Sequence, residues 1–331
     1  MWNLDLLRER FLAIIERHRL PDGSYCRWLW QNEAGTRELG VNEYGCADAA
    51  NLLYTFCAFP TGEAREALKE SLLAMQNAET GLFTETTHHP IHTTAHCIAA
   101  LELFDEKPRY PLTGLAERKT KEGLYDLLEN LNWLENPWPQ SHQGAGIYAS
   151  TVLAGETDQN WQRDYFAWIW ENSDPKYGIS RKGAIDAGSA PINHHLNGWF
   201  HYMFNLEYAH MPLRYPDKVV DTCLAMWNEN HVAPAFGHWV GFAEIDWVFA
   251  LNRALRQAPA RFAEAKAALR AFAGEFIEYL ESLDPETDDG LNDLHCLFGA
   301  ACALAELQAA LPGEIGCEKP LRLVLNRRPF I

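Results

Sequence analysis

Leu297-Phe298-Gly299-Ala300-Ala301-Cys302-Ala303-Leu304-Ala305 carries no polar face. A helix that is apolar on most sides must be surrounded by other helices. Cys46-Ala47-Asp48-Ala49-Ala50-Asn51-Leu52-Leu53-Tyr54 has nearly the same character. Runs of this kind begin near Tyr44, His92, His142, His194, Gly241 and Leu291. The spacing is about 50 residues each time, which marks an internal repeat.

A second set of helical patterns alternates with the first, starting near Asn3, Gly62, Thr120, Asn160, Asp217 and Arg261. Each is amphipathic, with apolar residues at i, i+3, i+4 and i+7, as in Leu124, Leu127, Leu128 and Leu131. Their other faces carry Glu, Lys, Arg and Gln, as solvated faces do. The alternation predicts an all-α fold, an (α/α)6 toroid of six helical hairpins with the apolar helices inside. No Val/Ile/Thr-rich alternating run predicts a strand. Residues 1–331 read as a single domain, with 312–331 as a C-terminal strap. The longer, more polar links, at 19–43, 78–91 and 172–193, all precede apolar helices. They therefore gather at one end of the scaffold, where function concentrates.

The chain has 331 residues and a net charge of −17, with 47% apolar residues. The acidic balance argues against nucleic acid and against anionic membrane surfaces. Met1-Trp2-Asn3-Leu4-Asp5 does not open a signal peptide, and no apolar run is long enough for a bilayer. A cytoplasmic location is expected. The eight cysteines contain no C-x-x-C pair and are expected to be buried thiols.

Gln76-Asn-Ala-Glu-Thr-Gly81-Leu-Phe83 resembles the Q-x-x-x-x-G-x-aromatic repeat of squalene cyclases and protein prenyltransferases. His92-Thr-Thr-Ala-His96-Cys-Ile-Ala-Ala-Leu resembles their next helix. The likeness is to the α/α-toroid superfamily, which includes six-hairpin glycosidases, and it implies architecture. The cyclase Asp-x-Asp-Asp acid is absent, and Asp293-Leu294-His295-Cys296 departs from the zinc-binding Asp-x-Cys pair of prenyltransferases. No activity of those families carries over to a residue here.

The starts of the six apolar helices hold the polar candidates. They offer Glu43 and Tyr44; His88, His89 and His92; His142 and Gln143; His194 and His195; Trp239, Glu244, Asp246 and Trp247; and Asp293 with His295. Seven of the thirteen histidines (His88, His89, His92, His142, His194, His195 and His238) lie at or just before such starts. A helix N-terminus lowers imidazole basicity and favours developing negative charge. Neutral imidazoles bind hydroxyls and move protons near neutral pH.

Glu244 and Asp246 are i and i+2, so only one can face a central funnel. Glu244 is taken as the funnel residue, and the other acid is expected to pair with Arg253 or with a neighbouring helix. Glu244, Asp293 and Glu43 then form an acidic arc opposite a histidine arc. The spacing of His92 and His96 also suits a divalent metal. The reading adopted is a satisfied core His96, Pro90 in a first helical turn, and no metal or other cofactor.

These residues predict a carbohydrate-active enzyme acting on a small-molecule or oligosaccharide substrate. The leading form is a glycoside hydrolase, with Glu244 as acid and Asp293 or Glu43 as its partner. An alternative is a sugar epimerase or isomerase in which His89 and His195 transfer protons. A terpenoid cyclase or prenyl-transfer enzyme is another, resting on Asp288-Asp289-x-x-x-Asp293. A non-catalytic binding toroid is the last. Tyr44, His88, His92, His142, Gln143, His194, Trp239, Asp246 and Trp247 are the expected substrate contacts.

Overall fold

The computed structural model describes residues 1–331, and it is all-α. In chain order the helices are α1 (Asp5–Arg17), α2 (Glu43–Thr55), α3 (Gly62–Ala74), α4 (Pro90–Glu102), α5 (Lys121–Asn130), α6 (Pro137–Ala154) and α7 (Gln159–Asn172). They continue with α8 (Ala184–Ala187), α9 (Ile192–Tyr208), α10 (Pro216–Asn228), α11 (Ala243–Gln257), α12 (Phe262–Ser282), α13 (Asp289–Asn292) and α14 (Leu294–Ala310). The strands β1 (Trp2–Asn3) and β2 (Ile315–Gly316) pair in parallel, tying the two ends of the chain together. No helix is long and apolar enough to cross a membrane. All eight cysteines are free thiols.

The apolar runs became α2, α4, α6, α9, α11 and α14. These pack side by side in that order, and α14 returns to pack on α2. Their burial is continuous: every residue of α4 from Ile91 to Leu101 is buried. The amphipathic helices bury one stripe. In α3 that stripe is Leu68, Leu72 and Leu73, and it faces α2 and α4.

Helix starts follow local chemistry. The Asn42 side chain accepts from Tyr44 N at 2.8 Å and caps α2. Thr120 and Asp158 cap α5 and α7 in the same way. Pro137 and Pro90 occupy first turns, where a missing N–H costs nothing. Pro137 starts α6 five residues before His142, so that histidine lies over a turn inside its helix. Small residues permit the close contact of α6 with its neighbours. A Cβ on Gly144 would come 2.1 Å from the Tyr202 hydroxyl, and one on Gly146 would come 3.1 Å from Ile91.

Arg253 of α11 and Glu306 of α14 form a buried two-pronged ion pair, with Nε–Oε1 and Nη2–Oε2 both at 2.8 Å. Arg253 also reaches Glu207 at 3.2 Å. The expected partnership of Arg253 with Glu244 or Asp246 is therefore not formed. Arg253 lies two turns along the helix from both acids, and Glu306 occupies its guanidinium.

Candidate active site

A cavity of about 310 Å³ is lined by residues of α4, α6, α9, α11 and α14, with flanking loop residues and Ile331. Its polar wall is His88, His92, His142, His201, His295 and Asp246. Trp138, Phe200 and Phe242 supply apolar surface. Five imidazoles and one carboxyl, from five segments of the chain, thus face one small volume.

Four of these histidines are held by the same atom. His88 Nδ1 is 2.9 Å from Glu85 Oε1, and His295 Nδ1 is 3.0 Å from Asp48 Oδ2. His201 Nδ1 is 2.9 Å from the Asn197 carbonyl, and His92 Nδ1 is 2.5 Å from the Tyr44 hydroxyl. Carboxylates and carbonyls only accept, so Nδ1 carries the proton in His88, His201 and His295. Nε2 is then the lone-pair nitrogen. In none of the four does Nε2 bond within the protein, and none is sealed from the cavity.

The Asp48 carboxylate sits in α2 and bridges two imidazoles. It accepts from His96 Nε2 at 2.7 Å as well as from His295. All three groups are buried, and their donor atoms lie within 4.8 Å of one another. Burial pushes Asp48 upward, but the two imidazoles outweigh it and hold the carboxyl below its usual range. Two N–H donors satisfy the carboxylate, so the trio fits a hydrogen-bonded relay. His96 is buried in the core as expected but is only half satisfied, because its Nδ1 has no partner.

Burial also favours the neutral form of His92, His142, His201 and His295. It lowers His201 to about 4 and His295 to about 3, the latter partly opposed by Asp48. His92 and His142 fall well below the ordinary value, first from burial and then from neighbouring histidines. Asp246 moves the opposite way, raised by burial and then by Glu244. No cation pairs with it. The Asn197 amide, turned with its nitrogen toward Asp246, lies 3.3 Å from Oδ2. The site therefore sets a carboxyl whose burial favours its protonated form beside four imidazoles whose burial favours the neutral form.

The acidic arc does not assemble. Asp246, not Glu244, faces the cavity. Glu244 points the other way, where Gly237 N donates to its Oε1 at 3.2 Å and burial raises it to about 7. Asp293 is locked to Arg27, with Nε at 2.9 Å and Nη2 at 3.0 Å, and caps α14 through His295 N. Glu43 is half-buried beside Tyr44 and does not line the cavity.

The two histidines expected to transfer protons lie elsewhere. His89 is exposed and caps α4, accepting from Ile91 N at 3.2 Å. His195 is buried against Ser180 Oγ at 2.7 Å, and His194 packs on Trp138. Gln143 is half-buried and off the cavity. Trp247 is core, stacked on Trp227 with Nε1 donating to Cys223 O. Trp239 is 59% exposed and lines a separate hollow with Arg37 and Asp289. His238 pairs with Glu275 at the surface.

Of the expected substrate contacts, His88, His92, His142 and Asp246 line the cavity, and Tyr44 anchors His92 from behind. The sequence reading missed His201, Asp48 and Glu85 as functional groups. For Asp48 and His201 the signal was an i, i+4 pairing within a helix, Tyr44 with Asp48 and Asn197 with His201, whereas Glu85 lies in the loop before α4, three residues ahead of His88. Attention to helix starts hid Asp48 and His201, which lie deeper in α2 and α9.

Asp48→Asn tests the relay. An Asn carbonyl can accept from one imidazole, but its amide then meets the other N–H, leaving a buried donor unpaired. The expected cost is about 1–3 kcal/mol in urea unfolding. The alternative is a tautomer change of His295 that puts the proton on Nε2, visible in ¹⁵N NMR. A variant with wild-type stability and an unchanged tautomer would remove Asp48 from this role.

Comparison with known protein families, curated proteins and solved structures gave no match to this chain.

Proposed function

We propose that this protein is a proton-transferring enzyme of carbohydrate metabolism, a sugar epimerase or isomerase built on an (α/α)6 toroid. One observation carries this reading: imidazoles fixed through Nδ1 share a small cavity with one buried carboxyl that has no cationic partner. His295 serves as base. Asp48 fixes its tautomer and stabilises the imidazolium that forms, as a buried carboxylate does behind a catalytic histidine. Asp246 donates a proton to the developing oxyanion. The remaining imidazoles accept hydrogen bonds from substrate hydroxyls, and Trp138 and Phe242 supply faces for a sugar ring.

Glycoside hydrolysis by paired acids is less well supported. It needs two carboxyls flanking the scissile bond, and Asp246 is the one carboxyl among the cavity-lining residues. Prenyl-diphosphate chemistry would need free acids in the 288–293 segment, yet Asp289 is bound by Arg37 and Asp293 by Arg27.

The test is proton NMR in D2O with neutral and uronic monosaccharides. Deuterium should enter one carbon-bound position of a turned-over sugar, with epimer or ketose product. Release of a reducing end from a glycoside without such exchange would overturn the proposal in favour of hydrolysis.

A further inference from the structure

Residues 312–331 do more than strap the surface. Arg322 N donates to the carbonyl of Thr55, the last residue of α2, at 2.9 Å. Arg327 Nη2 donates to the carbonyl of Glu102, the last residue of α4, at 3.0 Å. Both carbonyls lie at the helix ends remote from the cavity mouth. The 3-10 turn Val324–Asn326 packs on both α2 and α9. Those helices stand three steps apart in a cycle of six, so the turn lies across its far end.

From there the chain turns inward. Arg328 and Phe330 are fully buried, and Ile331 is 2% exposed. The Phe330 ring lies 4.9 Å from His92, 5.6 Å from Phe204 and 6.1 Å from His201, centroid to centroid. Ile331 lines the cavity itself. Arg328 rests on the Phe298 face at 5.2 Å and bonds the Phe330 carbonyl through Nη1, which holds the turn in place.

We propose that residues 328–331 are the floor of the active site, making it a blind pocket that admits one monosaccharide-sized unit from the mouth alone. The cavity of about 310 Å³ lies at the small end of ligand sites. A polysaccharide cannot thread through the cycle, because Phe330 and Ile331 occupy its axis. The nature of the ligand rests on the proton-transfer reading; the existence of the floor does not.

The experiment is diethyl pyrocarbonate acylation of the full-length protein, with rates for each histidine read by mass spectrometry. Phe330→Ala and Ile331→Gly should speed acylation of His92 and His201 roughly fivefold, since access limits a half-sealed imidazole. The exposed His231 and His238 serve as controls and should keep their rates. Ile331→Gly removes only floor atoms and carries the test if Phe330→Ala does not fold. Unchanged rates at His92 and His201 in a folded variant overturn the floor. Absence of solvent exchange with every sugar would defeat the proposed function while leaving the labelling result standing. A ligand bound through an interior unit of a longer chain would defeat the blind pocket alone.

Discussion

Asp246→Asn is expected to slow the solvent-exchange reaction by roughly 10²–10⁴-fold while leaving the protein folded. The reasoning begins with burial. Asp246 is 1% exposed, has no cationic partner, and lies near Glu244, so its proton is retained well above the usual carboxylate range. A neutral carboxyl and an amide have nearly the same shape and both lack charge. The substitution should therefore move the urea midpoint little. If Asp246 were ionised in the folded protein, removing its charge would stabilise the protein markedly. Catalysis responds differently, because an amide cannot deliver a proton to a developing oxyanion. Full activity in Asp246→Asn would withdraw the acid from the mechanism. A large gain in stability would show that the carboxyl is charged.

Acidification is expected to unfold the protein well above the range where carboxylates titrate. His92, His142, His201 and His295 are buried, and their folded pKa values lie below the ordinary 6.5. A group with a depressed folded pKa is protonated first in the unfolded chain. Stability is thus complete above about pH 6.5 and falls as pH drops toward the folded values near 3 to 4. At pH 5 His201 and His295 each withdraw roughly 2 kcal/mol, and His92 and His142 act in the same direction. Glu244 and Asp246 act in the opposite sense, because the folded state holds their protons at pH values where the unfolded chain has lost them. Burial lowers His18 and His195 to about 4 as well, so the depressed imidazoles outnumber the two opposing acids and acidification is expected to cost stability on balance. Urea unfolding at pH 7.5, 6 and 5 reads it directly. A constant midpoint would mean that these imidazoles are charged in the native cavity, and the base assigned to His295 would fail with it.

The helical repeat was legible because its signal is local. An apolar run such as 297–305 and an amphipathic one such as 124–131 each reveal a period within a few turns. The caps were equally near at hand: Asn42, Thr120 and Asp158 need only the next few residues. The functional end was legible too, since the polar residues crowd the starts of the cycle helices. The choice between Glu244 and Asp246 was not. Two residues on one helix point to opposite sides, and the rotation of α11 is set by how it packs on α9, α10 and α14. His201 and Asp48 escaped for the same reason. Their value comes from partners and neighbours on other elements.

Chain-local chemistry alone showed that apolar and amphipathic helices alternate and that histidines gather where the apolar ones begin. Period and capping depend on contacts within a turn or two, so no distant partner is needed to read them. Which side chains share a cavity, which nitrogen of each imidazole stays free, and that Phe330 and Ile331 close the far side depended on the assembled molecule. Those outcomes hinge on helix rotation and on contacts between residues hundreds of positions apart, such as Asp48 with His295, and no short stretch of sequence encodes either.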